Sequence, residues 1–248
     1  MILYKTHSMK ILISCAKIMN SDLTIKIPFT STPEYQSNAF QIASILSQYS
    51  TDELQTMLKV NPQIAFENKL RYEIFNTRVA PKIPAIFTYS GIVFKYINPS
   101  DFTYKDFKFA QKHLNITSFI YGLLKPMDLI NSYRLEGNIK LQALGDVSMF
   151  NYWKTKLTDN FIKEIKEDGG ILCNLASNEM KKLFEWKRVM EEVQVISPSF
   201  KVYKDGQLKT IVVYTKMMRG EVAREIIKKR ITKLKELEIL LENYAVVK

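Results

Sequence analysis

Cysteine and histidine are scarce in this 248-residue chain, with two of each. Cys15 and Cys173 lie far apart, so the chain reads as a cytoplasmic protein with reduced thiols rather than a secreted disulfide framework. His7 and His113 with two isolated cysteines supply no soft-ligand cluster, and neither a metal site of that kind nor a cofactor is expected; an all-carboxylate site stays open. No apolar run reaches the roughly 18 residues of a membrane span, so no membrane partner is expected. The apolar stretch Ile2 to Tyr4 is too short for the core of a signal peptide. Residues 1–8 are therefore read as an extension outside the domain, with translation starting at Met9. Prolines are scattered, and there is neither an internal repeat nor a low-complexity linker, so residues 9–248 are expected to form one domain.

What is present is a large apolar fraction, 46%, with 25% charged residues and a formal net charge of +11. Short apolar runs alternate with amphipathic stretches, which predicts a mixed α/β (α+β) fold, one compact domain with a mixed sheet surrounded by helices. Strands are expected at Lys10 to Ser14, Ile83 to Thr88, Gly170 to Asn174 and Val193 to Ile196. A hairpin is expected from Phe200 to Lys204 and Leu208 to Tyr214 around Asp205-Gly206, a dipeptide suited to a tight turn. Helical spacing runs from Glu34 to Tyr49, with further helices at Thr51 to Leu58, Pro62 to Asn76, Tyr104 to His113 and Val147 to Ile165. Gly169-Gly170 ends the last of these.

The positive charge is concentrated. Lys216 to Lys235 holds eight basic residues against two acids, a net of +6. A solvated helix face is the commoner meaning of such a stretch. On a helical projection, however, Arg219, Ala223, Ile226 and Arg230 share one narrow sector, so two arginines lie on the stripe that faces the protein. An arginine there requires a carboxylate or a phosphate, and an internal salt bridge is as reasonable as a ligand.

Two strand ends carry polar residues. Ser14-Cys15-Ala16-Lys17 follows the first strand, and Asn174 to Glu179 follows the glycine-led one. If these strands are parallel neighbours, their carboxyl ends open into one crevice, the usual ligand position in an open α/β sheet. Lys17 would offer a charge or, if desolvated, a nucleophilic amine, and Ser177 an oxyanion contact. A surface lysine and a helix N-cap are the plainer roles. Phe119 to Asp128 is an apolar run ending in a turn, with Gly122 free to take positive φ and Pro126 suited to starting a helix. Tyr133-Arg134-Leu135-Glu136 then sets polar side chains beside an apolar run.

Ile13 to Lys17, Tyr121 to Asp128, Tyr133 to Glu136, Asn174 to Glu179 and Tyr214 to Gly220 together resemble, in order and spacing, the bacterial YaaA peroxide-stress proteins. The resemblance covers Met9 to about Arg230. It implies a cytoplasmic protein that binds double-stranded DNA and protects against hydrogen peroxide, with a link to limiting free intracellular iron. It also implies a helix-hairpin-helix element including Tyr121 to Asp128, where Tyr121, Gly122 and Lys125 would meet phosphate without reading sequence. Three departures stand out. Cys15 replaces a turn proline and is expected to be a more exposed thiol. Ser90-Gly91-Ile92 stands where the family has Lys-Gly-Asp, removing a cation and a carboxylate from the expected cleft. The hairpin lacks the two glycines of the commonest DNA-binding hairpins.

Two functions follow. In the first, the hairpin and a basic C-terminal helix bind duplex DNA of any sequence, with Lys17, Tyr121, Gly122, Lys125, Tyr133, Arg134, Ser177, Lys216 and Arg219 as nucleic-acid or phosphate contacts. In the second, the cleft of Lys17, Arg134, Ser177 and Arg219 is the site of an enzyme acting on a base or nucleotide, with Lys17, Glu136 and Glu179 as catalytic candidates.

Overall fold

The structure is a computed structural model describing residues 8–20, 22, 26–204 and 206–244. Its first strand, β1 (Met9–Ile13), is buried at every position, the pattern of a central strand covered on both faces. Lys10 is the polar exception, its ammonium bonded to the Lys112 carbonyl at 2.8 Å and 3.7 Å from Asp168. Three helices follow: α1 (Gln36–Leu46), α2 (Thr51–Leu58) and α3 (Pro62–Ile74). The Ser50–Glu53 capping box starts α2, and Asn61 caps α3 with Pro62 in its first turn.

The strand expected from Ile83 to Thr88 is cut short. Only β2 (Ile83–Pro84) is extended, and α4 (Ala85–Thr88) takes over. Pro84 has no amide to continue a ladder, and the Thr88 hydroxyl returns to the Ile83 and Pro84 carbonyls at 2.9 and 3.0 Å, closing the helical turn. Next come α5 (Ile92–Ile97) and α6 (Tyr104–His113), the latter opened by a Thr103–Asp106 capping box. The chain then passes directly into β3 (Leu114–Ser118).

The segment expected to be a helix-hairpin-helix is built of strands. β4 (Gly122–Leu124) turns back antiparallel on β3, and β5 (Leu129–Ile130) pairs with β2. The reversal is fixed locally: the Ser118 hydroxyl accepts the Tyr121 amide at 3.0 Å, and Gly122 takes φ +69° where a Cβ would strike the Trp153 ring at 2.6 Å. Lys125 to Asp128 forms a second turn, the Asp128 carboxylate accepting the Lys125 amide at 2.7 Å. The Tyr121 and Lys125 amides are thereby bonded within the protein.

The long α7 (Met149–Glu167) ends at Gly169-Gly170, both at positive φ, and Gly169 lies so close to Ser8 that a Cβ would meet its carbonyl oxygen at 2.5 Å. Ser8, at the edge of the expected extension, is buried and donates to Asp168 at 3.1 Å; Met1 to His7 lie outside the described residues. After this come β6 (Ile171–Asn174), the one-turn α8 (Asn178–Lys181), α9 (Trp186–Glu192) and β7 (Gln194–Ile196). The main sheet has the order β4-β3-β1-β6-β7, with β1 parallel to both β3 and β6. The carboxyl ends of β1, β3 and β6 therefore share one edge.

The hairpin is present as β8 (Val202–Lys204) and β9 (Gln207–Lys209), with Gly206 at φ +74°; Asp205 lies outside the described residues. Its second strand is shorter than expected, because Val212 to Tyr214 open α10 (Val212–Lys229). The exposed β-branched Val212 and Val213 follow the helix propagated from the buried turns beyond Met218. The last helix among the described residues is α11 (Leu234–Glu242). Among the described residues no helix is long and apolar enough to cross a membrane.

Most of the basic stretch is neutralised inside the molecule. Arg224 binds both oxygens of Asp101, Lys228 lies 3.2 Å and Arg230 3.0 Å from Asp106, and Lys229 pairs with Glu225 at 2.7 Å. Ala223 and Ile226 are fully buried as their helical phase requires, while Arg230 sits past the helix end at φ +54°. Burial pushes the Asp106 carboxyl up, but hydrogen bonds from the Thr103 amide and hydroxyl and from Lys228 outweigh it and hold the group below its usual range. Hydrogen bonding to Arg224 lowers Asp101 in the same way. A depressed carboxylate gives its full stabilisation above its unfolded pKa of about 4 and loses it as pH falls through the lower folded value. The α6–α10 clamp should therefore hold unchanged down to about pH 5 and weaken below about pH 4. Asp106→Asn should flatten this acid limb and cost roughly 1–2 kcal/mol at pH 7, measured by urea denaturation across pH.

Candidate functional site

The loops after β1 and β6 are stitched together. The Leu175 amide donates to the Leu12 carbonyl and the Ser177 amide to the Ser14 hydroxyl, each at 2.9 Å, while the Asn174 side chain accepts the Ala176 amide at 3.2 Å. Over them lies the start of α5, where Gly91 is required: a Cβ there would sit 2.8 Å from that of Ala16. α10 closes the next side. At Gly220 a Cβ would meet the Val93 carbonyl oxygen at 2.4 Å, so α5 and α10 cross at a contact that only glycine permits. The residue before it, Arg219, is thereby brought to the crevice with Lys216. The segment Tyr133 to Leu135 supplies the remaining wall, and the whole encloses about 380 Å³. Ile92, Val93, Phe94, Phe119, Leu135 and Met180 make much of the lining apolar.

Lys17, Tyr133, Arg134, Ser177, Glu179, Lys216 and Arg219 all line this one cavity. Glu136 ties two of them together, its Oε1 lying 3.0 Å from both the Lys17 ammonium and the Arg134 guanidinium. That leaves Arg134 oriented, with its Nε buried and without a hydrogen-bond partner. Ser177 has a structural duty as well, accepting the Met180 amide at 3.4 Å as the cap of α8. The Tyr133 hydroxyl joins a buried chain, 2.7 Å from Ser118 and 2.9 Å from Tyr89, and burial pushes its pKa up.

Arg219 and Lys216 differ from the rest of the basic stretch. Among the described residues neither has a carboxylate or hydrogen-bond partner, and burial lowers the Arg219 pKa. Glu179 is likewise an unpaired carboxylate at the cavity. Cys15 lines the cavity and is half-buried, whereas Cys173 is buried; desolvation, reinforced by Glu179 and Glu136 against a Thr117 hydrogen bond, pushes the Cys15 thiol up to about 12. The crevice thus combines two uncommitted cations, one uncommitted carboxylate, an oriented Lys17–Glu136–Arg134 set and apolar walls. Such a set can grip an anionic group, cover a flat apolar face and move a proton.

Three expected contacts lie elsewhere. Tyr121 and Gly122 are buried in the β3–β4 reversal. Lys125 is bound to the Asn115 side chain at 2.8 Å and to Glu164 at 2.7 Å, away from the crevice. Conversely, the sequence reading missed the apolar wall from Ile92 to Phe94. The one available signal was Ser90-Gly91-Ile92 itself: it holds the glycine needed for close approach to Ala16, and its Ile92 is an apolar wall residue where the resemblance implied a carboxylate.

The family model described as peroxide stress protein YaaA matches residues 9–248. The chain belongs to the YaaA peroxide stress family. Among its relatives, a UPF0246 protein of Bacteroides thetaiotaomicron is 53% identical over 230 residues, spanning 93% of this chain and 90% of that protein. One of Phocaeicola vulgatus is 56% identical over 88% of this chain and 86% of its own length, and one of Clostridium beijerinckii 34% identical over 93% and 89%.

In this YaaA-family chain the α5–α10 crossing is the most sensitive point of the site. Gly220→Ala gains up to about 1 kcal/mol of helix propensity, but the atom it strikes is backbone and has little room to yield, so overpacking of about 1–3 kcal/mol prevails. A lowered denaturation midpoint with an unchanged m-value is expected.

Proposed function

We propose that the crevice binds a nucleotide unit of nucleic acid and that the protein acts on its base or sugar during peroxide stress. The observation that carries this is the pair Lys216 and Arg219, cations without a carboxylate partner among the described residues, at the mouth of an apolar-walled cavity. A phosphate satisfies both, Arg219 through paired hydrogen bonds and Lys216 as a point charge. The face of a base suits the walls of Phe94, Phe119 and Met180. Glu179, close enough to be felt by Cys15, is the candidate general base, and Lys17, oriented by Glu136, the candidate for a developing negative charge. Peroxide creates damaged bases, which are the substrate class we favour. The link to limiting free iron, and action in the cytoplasm, belong to the same proposal as cellular consequences.

Sequence-independent binding of duplex DNA by charge alone is the second reading, supported by the net charge of +11. Oligonucleotides with and without damaged bases separate the two. Under the first reading Arg219→Ala weakens binding at least about tenfold, as loss of a charge-assisted phosphate contact does. Glu179→Gln then keeps binding and loses turnover. Under the second, both variants shift affinity only slightly, with no product formed and a steep salt dependence throughout.

A further inference from the structure

On the other side of α8 lies a second, more open cavity of about 380 Å³. Lys154 on α7 and Lys181 and Lys182 at the end of α8 converge on it, with Phe150 and Trp186 beneath. The ammonium of Lys181 lies 5.3 Å from the Trp186 ring centre and that of Lys182 5.5 Å from the Phe150 ring centre, which fixes the heads of both side chains over aromatic faces. Among the described residues none of the three lysines has a carboxylate partner, and Lys154 has only a 3.4 Å hydrogen bond to Asn151. This contrasts with Lys166 and Lys187 nearby, which pair with Glu192 and Glu191.

The groove and the crevice are neighbours through a single turn of helix. Glu179 and Met180 line the crevice, and the next two residues, Lys181 and Lys182, line the groove. Burial lowers the Lys181 pKa, and the charge of Arg219 lowers it further, so cations of the two cavities feel one another. The unpaired cations of the two adjoining cavities outnumber the one unpaired carboxylate, Glu179, and repel one another, and a polyanion spanning both relieves that repulsion.

We infer that the groove holds the phosphodiester adjacent to the nucleotide in the crevice, so that the ligand is a nucleic-acid strand with at least one unpaired position rather than a free nucleotide. The inference rests on the crevice being a nucleotide site. A free nucleotide engages Arg219 and Lys216 and leaves Lys154, Lys181 and Lys182 uncompensated; a strand engages both sets.

The test compares a nucleoside monophosphate, by calorimetry, with a fluorescein-labelled single-stranded decamer and its blunt duplex, by anisotropy. The full-length protein is used as wild type, K154E, K181E/K182E, the milder K181A/K182A, R219A and, as a charge control, K187E. We expect the groove variants to weaken the single strand by about five- to tenfold, leave the monophosphate unchanged and lower the salt slope by about one per lysine removed. K187E should leave both nearly unchanged. Melting temperatures report folding, and the alanine pair serves if the charge reversals destabilise. Monophosphate binding that depends on Arg219, with no gain for the single strand or an equal effect of K187E, overturns the groove while leaving the crevice reading intact. A blunt duplex that binds more tightly than the single strand without regard to the groove lysines overturns it too. If neither monophosphate nor strand responds to R219A, the crevice reading itself fails and the inference falls with it.

Discussion

Two helices cannot approach as α5 and α10 do unless one of them has no side chain at the crossing, and Gly220 is that residue. Almost everything about the crevice depends on it. The approach sets Val93 and Phe94 of α5 as an apolar wall and carries Arg219, one position earlier, to the mouth. A methyl group there would separate the helices, and both the wall and the cation would retreat together. Gly91 plays the matching part on the other flank, letting the start of α5 rest on Ala16. Close backbone approach at two glycines shapes the cavity as much as its polar side chains do.

Electrostatics divides α10 into two ends with different duties. Toward its carboxyl end, Arg224 and Lys228, with Arg230 beyond it, are satisfied by Asp101 and Asp106 and hold the helix to α6 and the loop before it, while Lys229 pairs with Glu225 along α10 itself. Toward its amino end, Lys216 and Arg219 line the cavity with no such partner among the described residues. A partner that already neutralises a cation leaves it little to offer a ligand, which is why a raw count of basic residues overstates the surface available to DNA.

Much of this was legible in the sequence. The helices Thr51 to Leu58 and Tyr104 to His113, the Gly169-Gly170 stop and the loops after β1 and β6 follow from local chemistry, and the parallel pairing of those strands brought Lys17 and Ser177 to one cavity as adjacent carboxyl ends would. The reading failed where the outcome depends on distant partners. Phe119 to Leu124 is too short and too uniformly apolar for periodicity to tell strand from helix, and what decides it is Trp153, packed where a Gly122 side chain would be. Asp101 and Asp106 sit more than a hundred residues before the arginines they neutralise, beyond any local pattern. The groove beside α8 left no motif because its lysines come from α7 and α8 and converge only in three dimensions.

The burial of the two thiols bears on the conditions in which a peroxide stress protein works. Oxidation by peroxide proceeds through the thiolate, and desolvation pushes both Cys15 and Cys173 up to about 12, which disfavours that form at neutral pH. A cysteine lining the crevice would ordinarily be an oxidant-sensitive spot, and here desolvation disfavours the reactive thiolate of that sulfur.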